Sequence, residues 1–494
     1  MFPSLKDLKN KPAVHWENLS KIQVLNLISF VQKNVPAYNK FISTFGIRKK
    51  ISTINDFRIL PVSDKETYLR KYPYKELFPK NKLGLFTTVS ATSGSSGEEF
   101  YFPREEIHDE QYKYAAEIFL KNQFGINNKT KTLGIIGFGM GIWIGGIFTY
   151  KNFNRLSQDN NLTLIPAGSN IETFLKAFKK LAPFYDQVIL MGYPPFIKDV
   201  LDEGQYYNIE WKKHRIKILT AAEGYSEKFR DYITKVAGLK NPLLDTINIY
   251  GTVELGTMGS ETPLSILIRR LAVNDDKVFN RIFKKANRLP TLVQYHPYQI
   301  YFEEIDGEVV ASGYGSSIPL IRYRFPDMGG VISFDEMINH FNSLGIDLYK
   351  EAKKLQIESR ILKLPFVYVY DRSDHAIILR GANIYPDEIK LALHHHDLSR
   401  YLTGRFTMIK KEDAKMNEYL EINVELKKNI KESSKIVKLT TETIVQELLR
   451  TNQEFSYLHS QNNLSVQPRV VLWSYKYDLF FKQSGKQLWS IKKQ

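Results

Sequence analysis

The 494-residue chain contains no cysteine. This absence excludes disulfide bonds, a catalytic thiolate and cysteine-ligated zinc. The first sixteen residues also lack the apolar core of a secretory signal, from which we expect a cytoplasmic protein. Apolar side chains are not scarce: 43% of the residues are hydrophobic and 13% are aromatic. The length predicts two or three domains with substantial cores.

One charge-free run is long enough to be considered as a membrane span. Residues 132–150 form a stretch of nineteen residues without a charge, near the length that crosses a bilayer. Six of these residues are glycine, which would weaken a helix. The run therefore predicts a buried strand that enters a glycine-rich turn, and we expect no membrane span.

The net charge is +16, from 69 Lys and Arg against 53 Asp and Glu. Such an excess fits a nucleic acid, an acidic protein or polyphosphate ligand, or basic residues spread over solvated faces. The basic residues are scattered, and no nucleic-acid motif is present. We therefore interpret most of the charge as solvated surface and expect no nucleic-acid partner.

Between residues 130 and 330, short runs rich in Ile, Leu and Val alternate with amphipathic helical patterns. This alternation predicts an α/β fold with a large N-terminal domain of mostly parallel, helix-covered sheets. A capping box at Ser169 and Glu172 is expected to open one of the helices. The chain becomes polar and turn-rich near residue 371, after which a strand, a helix and a strand predict a small α+β domain.

A loop of glycine and hydroxyl residues lies within SATSGSSGEEFYF, residues 90–102. Free backbone N–H groups and short hydroxyl donors suit a phosphate chain, although a plain flexible turn is the alternative. The loop matches neither the Walker motif nor the dinucleotide-binding glycine pattern. The polar tails of several predicted strands favour a ligand site at the carboxyl ends of the sheet.

Six segments then stand in a fixed order. They are TSGSSG (92–97), AAEGYSEKFR (221–230), YGTVE (250–254), IRYRFPD (321–327), DRSDHAIILRGANIYP (371–386) and SGK (484–486). Together they resemble the adenylate-forming superfamily, specifically its phenylacetate–coenzyme A ligase-like branch, from about residue 85 to the C terminus. Members activate a carboxylic acid with ATP to give an acyl-adenylate and pyrophosphate, and most then transfer the acyl group to a thiol.

The resemblance implies an N-terminal domain over residues 1–373 that binds ATP and the acid. A mobile C-terminal lid over residues 374–494 would carry the catalytic lysine, Lys486, and Asp374 would be its hinge. Lys486 would stabilise developing phosphate charge, and Arg372 would bind the ribose or the α-phosphate. We expect Lys486, Glu254 and Arg372 to form the catalytic set.

The resemblance also implies a nucleotide site. The β- and γ-phosphates would lie against Thr92, Ser93, Gly94, Ser95, Ser96 and Gly97. Tyr250 would stack on adenine beside Gly251 and Thr252, and Ala222 and Glu223 would line the other adenine face. Asp327 would accept hydrogen bonds from the ribose hydroxyls. Glu254 would bind Mg²⁺, a cation that prefers oxygen ligands.

The segment FGMGIWIGG, residues 138–146, resembles the glycine-rich substrate turn of the branch. We expect Met140, Trp143, Gly145 and Tyr193 to line the acid pocket. Met140 stands where ligases of aromatic acids tend to carry an aromatic side chain. Because methionine adapts to irregular shapes, an alkyl or bicyclic acid is an alternative to an aryl one. A purely structural role in the core is the other interpretation of Met140 and Trp143.

Three segments depart from the pattern of the family. Glu98, Glu99 and Phe100 follow the loop where a proline and a lysine are usual, Val253 replaces a threonine, and Pro326 replaces a glycine. A degenerate nucleotide-binding homologue is therefore one alternative. Coenzyme A is the expected acceptor, and the phosphopantetheine arm of an acidic carrier protein supplied in trans is the other.

Three consecutive histidines, His394 to His396, invite a metal interpretation. Successive residues on a helix point about 100° apart, so the three could not share one ion without breaking the helix. We interpret them as a solvated helix end.

Overall fold

A computed structural model describes residues 2–80, 84, 86–92, 99–283, 286, 289–372, 376–461, 466–477, 480–481 and 490–492. The chain divides into two compact units. One comprises residues 1–91 and 101–371, and the other comprises residues 92–100 and 372–494.

The strands are short and lie mostly in the first unit. They are β1 Thr88–Thr92, β2 Phe100–Arg104, β3 Thr132–Ile136, β4 Leu162–Ile165, β5 Gln187–Gly192, β6 Ile216–Ala221, β7 Thr246–Thr252, β8 Gly256–Ser260, β9 Thr291–Gln294, β10 Ile300–Ile305, β11 Glu308–Gly313, β12 Leu320–Ile332, β13 Phe366–Arg372, β14 Ile377–Leu379, β15 Ala382–Ile384, β16 Leu402–Glu412, β17 Glu418–Leu426, β18 Arg469–Trp473 and β19 Ser490–Lys492.

The helices alternate with the strands through the middle of the chain. They are α1 Leu5–Asn10, α2 Ala13–Asn34, α3 Pro36–Ser43, α4 Ile54–Arg58, α5 Glu106–Phe119, α6 Ile147–Ser157, α7 Ile171–Leu181, α8 Pro194–Glu203, α9 Glu227–Ala237, α10 Pro242–Asp245, α11 Pro263–Asn274, α12 Asp276–Ile282, α13 Phe334–Ser343, α14 Leu348–Lys354, α15 Pro386–Leu393, α16 Ser434–Thr451 and α17 Gln453–Gln461. Short 3₁₀ or π turns cover Lys65–Leu69, Tyr74–Leu77, Leu120–Phe124, Ala182–Phe184, Gly204–Tyr207, Trp211–Lys213 and Glu358–Arg360.

An eleven-stranded sheet organises the first unit, in the order β10-β11-β12-β13-β9-β8-β7-β6-β5-β3-β4. The five strands from β7 to β4 are parallel. All residues of β3 and β5 are buried, as expected for parallel strands that are covered on both faces. Strand β8 reverses the direction and starts an antiparallel half. The predicted α/β fold class is confirmed, with this antiparallel half added to the parallel one.

Helices α5 and α6 cover the parallel strands through an aromatic layer. Tyr112 and Phe148 stack with ring centroids 4.8 Å apart in the same packed cluster as Ile136, Ile189 and Leu219. The charge-free run 132–150 is divided between β3, a turn and the start of α6, which confirms the strand-and-turn prediction. In the described part of the chain, no helix combines the length and apolar character needed to cross a membrane.

The second unit is a small α+β assembly. Its four-stranded sheet has the order β18-β17-β16-β19, and β14 and β15 form a separate hairpin. Helices α15 and α16 pack with these strands in one apolar cluster that includes Phe406, Ile422 and Leu448. Strand β17, helix α16 and strand β18 lie where the sequence predicts a strand, a helix and a strand.

The predicted capping box at Ser169 and Glu172 is wrong. Helix α7 begins one residue later than expected, and Asn170 is its N-cap. The Asn170 side chain accepts a hydrogen bond from the backbone N–H of Thr173 at 2.8 Å. Asparagine caps a helix as well as serine does, so two adjacent candidates could not be separated by residue type.

Candidate functional site

The carboxyl ends of the parallel strands bring together several residues that the sequence singled out. Segment 137–146 follows β3, Tyr193 follows β5, and the loop of residues 222–225 follows β6. Tyr250, Gly251 and Thr252 end β7. Because β3, β5, β6 and β7 are hydrogen-bonded neighbours, their ends share one edge of the sheet.

The loop 222–225 is held in a conformation that ordinary side chains rarely adopt. Ala222 has φ +74°, in the left-handed region that favours glycine. The Asn248 side chain donates a hydrogen bond to the backbone oxygen of Glu223 at 2.9 Å. At Gly224, a Cβ atom would lie 2.3 Å from Thr291 Oγ1, so only glycine fits without a shift. The surrounding structure therefore determines the path of this loop.

A buried network of charged side chains also holds this loop, through contacts with Tyr225. Glu261, which is fully buried, pairs with Arg230 at 2.6 Å and with Arg269 at 2.8 Å. Arg269 also donates to the backbone oxygen of Tyr225 at 2.6 Å, and Arg230 donates to the Tyr225 hydroxyl at 3.1 Å. Burial alone would lower the pKa of Arg230, but the charges of Glu261 and Glu227, together with Tyr225, raise it well above its ordinary value.

The two residues proposed to contact adenine and ribose are within hydrogen-bond distance of each other. The hydroxyl of Tyr250 donates to a carboxylate oxygen of Asp327 at 2.7 Å. Asp327 lies in β12, where two glycines allow close packing on β13: a Cβ atom at Gly330 would lie 2.6 Å from the Tyr368 hydroxyl. The structure thus brings a residue of the parallel half and one of the antiparallel half to one place.

Glu254 lies in the turn between β7 and β8. The backbone N–H of Leu255 donates to Thr252 Oγ1 at 3.3 Å and so shapes this turn. A Cβ atom at Gly251 would lie 2.5 Å from the backbone oxygen of Gly256. The hairpin itself therefore requires glycine at position 251, whatever its role toward a ligand.

The Glu254 carboxylate is partly buried, and among the described residues it accepts no hydrogen bond and forms no ion pair. The negative charge of Glu254 nevertheless acts on a neighbouring group. Burial raises the pKa of Tyr323 well above its ordinary range, and the negative charge of Glu254 adds to this shift. A partly buried carboxylate with no protein partner is a suitable ligand for a hard divalent cation, so the residues present fit Mg²⁺ at this position.

Apolar side chains lie beside these polar groups. Met140 and Tyr193 are partly buried and pack against the cluster under the parallel strands. Tyr193 meets Phe138 edge to face, with ring centroids 5.5 Å apart. Trp143 is also partly buried, and at Gly145 a Cβ atom would be in ordinary contact with Phe138 at 3.4 Å. The structure thus places the four proposed acid-binding residues on the loops after β3 and β5.

Comparisons with known proteins found one relative by sequence and several structures of similar fold. No family model matches the chain. A phenylacetate–coenzyme A ligase from Pseudomonas putida is 20% identical over 373 residues, which cover 72% of this chain and 70% of the relative. The fold is similar to that of 2-hydroxyisobutyryl-CoA ligase bound to 2-HIB-AMP and CoA in the thioesterification state. That match has a TM-score of 0.69 and 14% identity, and covers 100% of this chain and 94% of the other.

A second structure of the same ligase, in the postadenylation state with R3-HIB-AMP, matches with a TM-score of 0.57 and 15% identity over 100% and 94% of the two chains. The chain is thus similar in sequence to one adenylate-forming ligase and similar in fold to another, and both similarities are in line with the resemblance of the six ordered segments.

Several of the predicted site residues lie outside the described residues. These are Ser93, Gly94, Ser95, Ser96, Gly97, Asp374 and Lys486. Arg372 ends β13, and its side chain is also outside the described part. Thr92 ends β1, and its hydroxyl donates to the backbone oxygen of Phe100 at 3.5 Å. The roles of these residues remain predictions.

Sequence reasoning missed the residues that hold the site in place. Asn248, Glu261, Arg269 and Arg104 were not singled out. A signal was present, because each is a polar residue within or next to an apolar run. Their partners, however, lie on other elements, and Arg104 contacts a residue 149 positions away.

The helix-based argument about the three histidines needs correction. Helix α15 ends at Leu393, and His394 is its C-cap, so the histidines do not continue the helix. Ligand atoms of His395, His396 and Asp397 lie within 4.8 Å of one another. Both imidazoles are strongly exposed, and His396 Nε2 already pairs with Asp397 at 2.8 Å.

Proposed function

We propose that this chain is an adenylate-forming enzyme, specifically an ATP-dependent acid–thiol ligase. It would condense a small carboxylic acid with ATP to an acyl-adenylate and pyrophosphate, then transfer the acyl group to a thiol. Coenzyme A is the proposed acceptor. The similarity to two ligases that use coenzyme A supports this reaction class.

The observation that carries the proposal is the composition of the sheet edge. It joins a constrained loop (222–225), an aromatic ring hydrogen-bonded to a carboxylate (Tyr250 and Asp327), and a second carboxylate, Glu254, that forms no hydrogen bond or ion pair within the described part of the chain. Adenine would lie between the loop and the Tyr250 ring. The ribose hydroxyls would then replace the Tyr250 hydroxyl as donors to Asp327.

The proposed chemistry needs charge neutralisation more than proton transfer. An oxygen of the acid attacks the α-phosphorus of ATP, and the bond to the bridging oxygen of the β-phosphate breaks, so that pyrophosphate leaves. A divalent cation held by Glu254 would neutralise phosphate charge. Segment 92–97 would bind the departing phosphates through backbone N–H groups, and Lys486 would donate to the negative charge that develops.

The second half-reaction follows from the first. The thiol, after losing its proton to solvent, attacks the acyl carbon, and the bond from carbon to the phosphate oxygen breaks to release AMP. Met140, Trp143, Gly145 and Tyr193 would hold the acyl group during both steps. Their mixed apolar surface favours an acid with an alkyl or aryl body over a highly charged one.

The test measures pyrophosphate release from MgATP across a panel of aryl, alkyl, bicyclic and hydroxy acids. We expect release that depends on one class of acid and falls by a factor on the order of 10² to 10³ in Lys486→Ala. Thioester formation is then measured with coenzyme A and with a phosphopantetheinylated carrier protein. MgATP binding without acid-dependent release would contradict the proposal and favour a nucleotide-binding homologue.

A further inference from the structure

Arg104, the last residue of β2, is fully buried. Its guanidinium donates to the backbone oxygen of Val253 at 2.5 Å and to that of Phe102 at 3.3 Å. The face of the guanidinium lies 4.8 Å from the centre of the Phe148 ring. One planar group thus joins β2, helix α6 and the turn that carries Glu254.

The charge of Arg104 is retained despite its burial. Burial lowers the pKa of Arg104 to about 10, although the carboxylates of Glu254 and Asp109 oppose that shift. The guanidinium is therefore positive at neutral pH. It acts on Glu254 through the field and through the backbone, because no direct ion pair joins the two side chains in the described residues.

Asp109 anchors the other side of Arg104. Its buried carboxylate accepts hydrogen bonds from Lys151 at 2.6 Å and from the Thr87 hydroxyl at 3.0 Å. The Thr87 N–H donates to the backbone oxygen of Arg104 at 2.7 Å. Arg104 is therefore held at its backbone oxygen by Thr87, which also hydrogen-bonds to Asp109.

We propose that Arg104 is a positioning residue that fixes the Val253–Glu254 turn, so that the Glu254 carboxylate faces a divalent cation without being captured by an ion pair. The hydrogen bond from Arg104 to the backbone oxygen of Val253, the residue before Glu254, restrains the backbone of the turn. This inference rests on the proposed function, because it assigns Glu254 to the cation of MgATP. Residues 83–103 contain no Lys or Arg, so Arg104 is the first cation after the predicted phosphate loop.

The Arg104→Lys variant separates the effect of the hydrogen bonds to the carbonyl oxygens from the effect of the positive charge. Arg104→Lys keeps a positive charge but cannot present two parallel donors to two carbonyl oxygens. Arg104→Met keeps the length and removes both. The matched control is Lys217→Met: Lys217 is a buried cation at the opposite end of β6, paired with Asp245 at 2.5 Å. The Lys217→Met substitution should destabilise the same sheet without removing a contact to the turn.

The experiment measures, on the full chain, MgATP affinity by calorimetry and the Mg²⁺ concentration that gives half-maximal pyrophosphate release. Thermal unfolding is recorded for every variant. We expect Arg104→Met to raise the half-maximal Mg²⁺ concentration about 10- to 100-fold, with Arg104→Lys intermediate and Lys217→Met unchanged. If Arg104→Met does not fold, the inference is tested by the half-maximal Mg²⁺ concentration of Arg104→Lys alone.

Wild-type Mg²⁺ dependence in the arginine variants, with only the thermal midpoint lowered, would overturn the inference while leaving the proposed function intact. A wild-type protein that binds MgATP but releases no pyrophosphate with any acid would refute the proposed function. Arg104 would then still be judged by whether its variants weaken MgATP binding relative to Lys217→Met.

Discussion

Removing the Asp327 carboxylate should abolish recognition of the ribose hydroxyls. The structure places this carboxylate 2.7 Å from the Tyr250 hydroxyl, in a partly buried position where it can accept two donors. Hydrogen bonds to a charged group contribute about 1.5–3 kcal/mol. Asp327→Ala should therefore weaken MgATP binding by about one to two orders of magnitude.

The assay compares ATP with 2′,3′-dideoxy-ATP by calorimetry. Wild-type protein should prefer ATP by about the same factor, and Asp327→Ala should bind the two nucleotides nearly equally. Tyr250→Phe serves as the matched variant, because it keeps the ring for stacking and removes only the hydroxyl that occupies Asp327. We expect it to bind ATP within about threefold of wild type, since a net hydrogen bond is worth only about 0.5–1.5 kcal/mol.

One result would refute this reasoning. If Asp327→Ala still discriminates between ATP and the dideoxy nucleotide as wild type does, then Asp327 does not contact the ribose. Tyr250→Ala gives an independent check, because the loss of base stacking should cost about 1–3 kcal/mol for both nucleotides alike.

Three further predictions follow from the supporting contacts. Asn248→Ala leaves the Glu223 backbone oxygen without its donor and should raise the KM for MgATP about tenfold with a smaller change in kcat. Glu261→Gln breaks a fully buried ion-pair network and should lower the free energy of unfolding by about 3–5 kcal/mol in urea titrations. Burial raises the pKa of Glu388 to about 7, so its stabilising contribution is complete below pH 4.5 and disappears as the pH rises through 7. Hydrogen exchange of residues 386–393 should therefore accelerate between pH 5 and pH 8 relative to Glu388→Gln, beyond the intrinsic pH effect.

The prediction for Glu261 has a matched control in the chain. Glu210→Gln removes an ion pair with Lys213 in which both side chains are more than two-thirds exposed, and it should change stability by less than about 1 kcal/mol. An equal loss in Glu210→Gln and Glu261→Gln would contradict the account of the buried network. An unchanged KM in Asn248→Ala would mean that the loop 222–225 keeps its shape without the Asn248 side chain.

The sequence predicted the parallel half of the sheet well because burial on both faces requires continuous runs of Ile, Leu and Val. Strand β5, for example, is buried at every residue, and such a continuous apolar run is typical of a strand in a sheet that is covered on both faces. The antiparallel half was less visible. Strand β12 continues for thirteen residues through a proline and two glycines, which read as turn signals when the neighbouring strand is unknown.

The sequence singled out candidate site residues at strand ends, whose roles stay predictions, and it missed residues that support those strands. Tyr250 and Glu254 stand out because they belong to YGTVE, a segment that resembles a family motif at the end of β7. Asn248 and Arg104 do not stand out in the sequence. Each acts through a hydrogen bond to a backbone oxygen, that of Glu223 or that of Val253, which only folding brings near. The local pattern shows a polar residue beside an apolar run, but it does not show which distant backbone oxygen that residue contacts.

The measurement that tests the central claim most directly is acid-dependent exchange of labelled pyrophosphate into ATP. Reversible adenylation requires this exchange, whereas simple ATP hydrolysis does not produce it. The account predicts exchange that requires both Mg²⁺ and one class of carboxylic acid, and that is lost in Glu254→Gln while Glu210→Gln behaves as wild type. Exchange that persists in Glu254→Gln, or no exchange with any acid despite tight MgATP binding, would contradict it.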